Sequence, residues 1–215
     1  MTNELLSVNR SVQPIDNYID RDSVVVDCGC YGWRLSEPCQ SAQARLIGVD
    51  RSEPPGRPNG VDFAAMKGTD IDLPNETADL VIASHILEHL QEPLAFMQEL
   101  MRITRPGGVI WIESPSELSA LRIASSDPED HSFVSFWDDP THVRPWSPGA
   151  LYRLAISCRC VPVGISRSNA DGIPSCRMVC RKPIDDYKAS TPKYVGLRSV
   201  NPGISNAWNH IWSNA

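Results

Sequence analysis

The segment SHILEHLQEP, residues 84–93, holds His85, Glu88 and His89 in the order H-x-x-E-H. Two imidazoles one helical turn apart, with a carboxylate between them, are the donors of a helical zinc site with its own general base. Against that reading, Pro93 follows His89 by only four residues, and the sequence offers no third ligand in a helical context. Three aspartates point to a different chemistry. Asp27 closes the β-branched run SVVVD, Asp50 closes RLIGVD, and Asp70 lies in KGTDIDLP behind the extended segment VDFAA. A glycine-bearing turn, DCGCYGW, follows the first of them and would let a ligand approach the backbone closely. An acid at the end of the second strand is placed to accept from two ribose hydroxyls. That layout suits a nucleoside. A dinucleotide wants G-x-G-x-x-G, so that its pyrophosphate rests on a helix N-terminus. Only Gly29 and Gly32 are present, and Pro38 cuts the next helix short. A nicotinamide-dependent enzyme is therefore the weaker alternative.

A second concentration of chemistry lies in DHSFVSFWDDPTHVRPWSP, residues 130–148. Aromatics (Phe133, Phe136, Trp137, Trp146) alternate there with Asp138, Asp139, His142 and Arg144, the composition of a small-molecule pocket. His142 is the candidate general base, because an unperturbed imidazole titrates near neutral pH; His131 and Asp139 are the alternatives. Trp137, Arg144 and Trp146 are the candidate acceptor contacts. Asp138, Asp139 and His142 could instead hold a divalent ion that lowers a hydroxyl's pKa. Cys158, Cys160, Cys176 and Cys180 raise the further question of a four-thiolate zinc site, against the simpler reading of buried free thiols.

These groups need a scaffold. SVVVD, RLIGVD, ADLVIAS (78–84) and GVIWIES (108–114) are short, nearly continuous apolar runs, as in strands buried on both faces of a parallel sheet. EPLAFMQELMRI places Leu94, Met97, Leu100 and Met101 at helical spacing, and RPGG (105–108) is expected to stop that helix and turn the chain. WSPGALYRLAIS predicts a second helix with Ser147 as cap and Pro148 at its first position. VPVGIS and CRMVCRK predict a closing antiparallel pair. The class is α/β, with ligands expected beyond the carboxyl ends of the strands.

At 215 residues the chain suits one domain, taken as 1–182, with an irregular C-terminal arm over 183–215 carrying Tyr194, Trp208 and Trp212. A net charge of −6 with no basic run argues against a nucleic-acid partner. No apolar stretch reaches spanning length, and the first residues do not read as a signal peptide, so a cytoplasmic protein with reduced thiols is expected. Seven cysteines fit no even disulfide framework. A homodimer stays open.

The ordered set VVVDCGCYG, IGVDRS, GTDIDLP, ADLVIASHILEHLQEP and ELMRITRPGGVIWIESP resembles class I S-adenosyl-L-methionine-dependent methyltransferases of the methyltransferase type 11 kind. The resemblance implies a Rossmann-like, seven-stranded, mostly parallel sheet with one reversed strand near the edge. It also implies S-adenosyl-L-methionine as cofactor, S-adenosyl-L-homocysteine as product, and no required metal. Asp27, Gly29, Cys30 and Gly32 would line the methionine end, Asp50 and Arg51 the ribose, Asp70 and Ile71 the adenine, with Ser84 and His85 closing over the cofactor. The loop departs from the family's usual D-x-G-C-G-x-G: either Tyr31 replaces the second glycine or one residue is missing before YGW, and this makes a cofactor-binding module without catalysis an alternative. DPTHVRPWSPGAL is similar to a segment of methyltransferases from bacterial polysaccharide and glycan clusters, which implies O-methylation of a small, sugar-containing acceptor.

Overall fold

The computed structural model describes residues 12–121, 135–169 and 172–184. SVVVD supplies β1 (Val24–Cys28) and RLIGVD supplies β2 (Arg45–Asp50). β3 (Asp62–Lys67), β4 (Asp70–Ile71), β5 (Ala78–Ser84), β6 (Thr104–Pro115), β7 (Val161–Ser168) and β8 (Ser175–Arg181) follow. The spatial order is β4-β3-β2-β1-β5-β6-β8-β7. β3, β2, β1, β5 and β6 pair in parallel, and β8 runs antiparallel to both β6 and β7. The sheet thus has eight strands and not seven. The addition is β4, a two-residue strand that folds back on β3 through the pairs Met66–Ile71 and Lys67–Asp70. Strand order reverses at β1, whose neighbours are β2 and β5, the point beside which open α/β sheets take ligands at their carboxyl edge.

Both faces are buried, and alternation sends neighbouring residues to opposite sides. Val26, Ile47, Val81 and Ile110 share one core with α2 (Pro93–Ile103) and α3 (Pro148–Ser157). Val25, Leu46, Leu80, Ile82 and Trp111 share the other with Leu35, Cys39 on α1 (Ser36–Ala42), and Val12. α3 begins as its sequence predicts: the Ser147 hydroxyl accepts from the Ala150 N–H at 3.1 Å, with Pro148 in the first turn. On α2 the buried stripe is Phe96, Met97, Leu100 and Ile103, whereas Leu94 is 46% exposed.

RPGG does not form the expected turn outside the strand. Thr104 goes extended at once, its hydroxyl donating to the Leu100 carbonyl at 2.6 Å, and it pairs with Ala78. Val109 pairs with Leu80, so residues 105–108 bulge opposite Asp79 alone. Gly107, at φ +78°, supplies the left-handed step. Nor do Cys158, Cys160, Cys176 and Cys180 assemble a metal site. All seven cysteines are free, and among the described residues no group with ligand-like proximity contains one. Cys176 and Cys180 instead turn their thiols toward the carbonyls of Ser114 and Ile110. No helix among the described residues is long and apolar enough to cross a membrane. His131, Phe133 and the arm from residue 185 onward lie outside the described residues.

Leu100 is fully buried between α2 and the sheet. Leu100→Ala should cost about 2–5 kcal/mol, the range for truncating a well-packed core leucine. Urea unfolding would register it as a lower midpoint with an unchanged slope.

Candidate active site at the carboxyl edge of the sheet

The turn after β1 fixes the first part of the site. Gly29 sits at φ +82°, and its N–H donates to the Val49 carbonyl at 2.8 Å. A Cβ there would lie 3.2 Å from the Ile86 side chain, so both conformation and space favour glycine. Gly32, at φ +75°, is open on the Cβ side. Tyr31 is 78% exposed, so the bulk that replaces the family's glycine projects into solvent. The turn is held from beneath. Cys30 and Trp33 are buried over Gly48, where a Cβ would come within 2.4 Å of the indole, and the Trp33 N–H donates to the Pro55 carbonyl. Cys30 is therefore part of the packing beneath the turn.

Asp27 is only 4% exposed at the end of β1. Burial pushes its carboxyl up to about 7; Arg34 partly offsets this, and the Asp50 charge adds to it. Asp50 ends β2 half-buried, with Oδ1 accepting the Arg51 N–H at 2.7 Å; the Arg51 side chain is exposed. Asp70 is exposed, and Ile71 beside it is buried. The Ile71 N–H donates to Glu99 Oε1 at 2.8 Å, and its carbonyl accepts from Arg102. Arg102 also donates to Leu73 O and Asn75 Oδ1, so an ion pair on α2 clamps the whole 70–75 segment. This clamp went unnoticed in the sequence, although an acid and an arginine at i,i+3 are a legible pair.

Ser84 is buried at the end of β5. His85 takes a left-handed backbone (φ +54°), its N–H donating to the Glu113 carbonyl at 2.9 Å. The helix needed for a zinc-type H-x-x-E-H does not form: Leu87–His89 is a single 3-10 turn, and α2 begins only at Pro93. The imidazoles consequently part company. His85 Nδ1 lies 3.3 Å from Glu88 Oε1. Burial lowers the His85 pKa, but the Glu88 carboxylate, with Glu113 behind it, raises it more, and the net direction is upward.

His89 turns toward residues 135–146. His89 Nδ1 is 2.8 Å from the Thr141 hydroxyl, which itself donates to Asp139 Oδ1 at 2.6 Å. The hydroxyl proton is thereby committed, and His89 Nδ1 is the donor to Thr141. His142 Nδ1 lies 2.7 Å from the Phe136 carbonyl, an acceptor, so it too carries its proton there. The His142 ring stacks on Phe136 at 4.4 Å and meets His89 at 4.8 Å between centroids. Glu88, His89 and His142 each bring a ligand-type atom within 4.8 Å of the others. The carboxyl of Asp139 is held low: burial raises it, but bonds from Thr141 and the neighbouring imidazoles lower it more. Glu88 and His89 in this grouping were not foreseen, because their partner His142 lies more than fifty residues along the chain.

The remaining candidates are placed unequally. Trp137 is 57% exposed on a 3-10 turn capped by Ser135. Arg144 donates to the Gln91 carbonyl at 3.0 Å. Trp146 is 6% exposed within the core, bridged to Ser116, and its indole N–H has no hydrogen-bond partner among the described residues. A polar cavity of about 260 Å³ lies at the opposite edge, lined by residues that include Asp79, Arg105 and Arg181, and it contains none of these residues.

Comparison with known proteins agrees with this geometry. A family model described as a methyltransferase domain matches residues 6–156. The ubiquinone biosynthesis O-methyltransferase of Parvibaculum lavamentivorans is 28% identical over 112 residues, covering 48% of this chain and 42% of the relative. The chain thus matches about two-fifths of that relative's length. Among solved structures, a methyltransferase from Methanosarcina mazei superimposes with a TM-score of 0.62 at 14% identity, over 82% of this chain and all of the other. The 1,6-didemethyltoxoflavin-N1-methyltransferase of Burkholderia thailandensis, solved with its acceptor and S-adenosylhomocysteine, gives 0.58 at 20% identity, over 76% and 72% of the two chains. A family match of that extent, on a sheet with this strand order, makes the chain a member of the methyltransferase domain family, in its class I, S-adenosyl-L-methionine-dependent form.

Proposed function

We propose that the protein transfers the methyl group of S-adenosyl-L-methionine to a hydroxyl of a small, sugar-containing acceptor in the cytoplasm. The observation that carries this reading is the polar group Glu88–His89–His142–Asp139, built where the turn after β5 meets residues 135–146. Methyl transfer from a sulfonium is an in-line displacement, so alignment does most of the work. A hydroxyl also needs its proton removed as the bond to carbon forms, and this group is the place for it. Asp27 and Gly29 hold the methionine end, Asp50 the ribose, and Asp70 with Ile71 the adenine. Trp137 and Arg144 contact the acceptor, while Trp146 supports that segment from the core. The printed name of the Parvibaculum relative, an O-methyltransferase, supports oxygen as the nucleophile. The same name favours a second reading, a phenolic acceptor, and a panel of sugar and phenol hydroxyls scored for methyl incorporation separates the two.

Asp50→Ala should weaken S-adenosylhomocysteine binding by about 1.5–3 kcal/mol, the value of a hydrogen bond with a charged partner. Unchanged affinity by calorimetry in the folded variant would refute the nucleoside assignment.

The raised pKa of Asp27 adds a pH signature. In the free protein the carboxyl is protonated below about 7, whereas the cofactor's ammonium favours the ionised form. Affinity for S-adenosylhomocysteine should therefore be flat above pH 7 and fall by up to tenfold per unit below it. Asp27→Asn should flatten the profile. Stability of the free protein runs the opposite way. Because the folded state keeps a proton that the unfolded chain has released, the Asp27 contribution declines as pH rises from about 4 through about 7.

A further inference from the structure

Glu88 is fully buried, yet only one of its carboxylate oxygens is hydrogen-bonded. Oε2 accepts from the Ser114 hydroxyl at 2.9 Å, while Oε1 makes no hydrogen bond to any described residue. His85 Nδ1 lies 3.3 Å from Oε1 and forms an ion pair with it when protonated. A buried carboxyl oxygen left without a well-formed hydrogen bond is costly, and the His85 contact meets that need only in part. The two imidazoles beside it are prepared to share one. His89 and His142 each engage Nδ1 with an outer acceptor, Thr141 backed by Asp139 in one case and the Phe136 carbonyl in the other. A neutral imidazole held this way has its lone pair on Nε2; His142 Nε2 also lies 3.7 Å from Asp139 Oδ2. An outer hydrogen bond that fixes the tautomer and orients the ring is the usual support of a metal-bound histidine.

We propose that Glu88, His89 and His142 bind a divalent first-row transition cation, in the manner of zinc or manganese. Two imidazoles and one carboxylate select such an ion over magnesium or calcium, which take oxygen donors. Three protein ligands leave coordination positions for the acceptor. In its catalytic role, which rests on the proposed hydroxyl acceptor, the cation lowers the pKa of the bound hydroxyl, whose proton passes to solvent water. The oxygen then forms the new bond to the methyl carbon, the carbon–sulfur bond breaks, and its electron pair stays on sulfur as neutral S-adenosylhomocysteine. Cation binding itself does not depend on what the acceptor is.

Chelator-treated full-length protein titrated with ZnCl2 and separately with MnCl2 should take up one ion per chain, read by calorimetry and by the spin-resonance signal of bound manganese. Glu88→Gln and His142→Gln should each weaken uptake by more than about 100-fold. Thr141→Val, at an exposed position that is not a ligand, should weaken it by about 10–100-fold, the usual effect of losing an outer-shell partner. If a ligand variant does not fold, Thr141→Val and His89→Gln decide. No uptake by the wild-type protein, or uptake unchanged in the folded variants, would overturn the proposal. S-adenosylhomocysteine affinity is measured on the same samples. Cofactor binding without cation uptake removes the metal site and leaves the methyltransferase reading standing; cation uptake without cofactor binding does the reverse.

Discussion

A carboxylate with no access to water organises this site. Glu88 lies in a three-residue turn just past β5, and that turn is joined to the rest of the site by polar contacts in three directions. Its side chain takes a hydrogen bond from Ser114 on β6, its main-chain carbonyl accepts from Val143 and Arg144, and His85 stands beside it. One residue thus ties the turn after β5 to β6 and to residues 143 and 144. Burying a carboxyl group in this way is unfavourable unless its oxygens find partners, and Ser114 and His85 lie on either side of it.

The turn after β1 is built on a different restraint, the shortage of space. A Cβ on Gly29 would be tight against Ile86 as well as strained at positive φ, and Gly48 leaves no room for one beneath Trp33 and Cys30. The turn after β1 is thereby pressed onto the end of β2, and Asp27 and Asp50 come close enough for their charges to interact. Residues 70–75 are held apart from this packing, by Glu99 and Arg102 on α2. α2 follows the Glu88 turn closely and carries that clamp on its final turns, so one helix borders both groups of residues.

Much of this was legible in the sequence, and the reasons differ by element. SVVVD and RLIGVD announce buried parallel strands because β-branched runs that end in an acid suit little else. Ser147 and Pro148 announce a helix start because cap chemistry is local. RPGG misled because its glycines serve a bulge within β6, a feature that depends on the pairing of Thr104 with Ala78 and Val109 with Leu80. Trp146 looked like an open pocket wall, but its bridge to Ser116 draws it into the core. H-x-x-E-H suggested a helix, and a 3-10 turn separates its histidines. The pairing of His89 with His142 depends on the strand order, which no local pattern encodes.

The seven cysteines have a practical consequence. Six are buried and only Cys158 is partly accessible. Burial pushes the thiols of Cys39 and Cys158 up to about 11 and those of Cys30 and Cys176 up to about 12. Burial also raises the Cys28 thiol well above its ordinary value, and the contact with Cys160, together with burial, raises that of Cys180. Reaction with alkylating reagents and oxidants proceeds through the thiolate, so at neutral pH these six thiols are nearly silent, and Cys160 is shielded by burial. A single cysteine introduced at the exposed Tyr31 position would then be the fast-reacting one, and a fluorophore placed there would report on the cofactor turn with all seven native cysteines left in place.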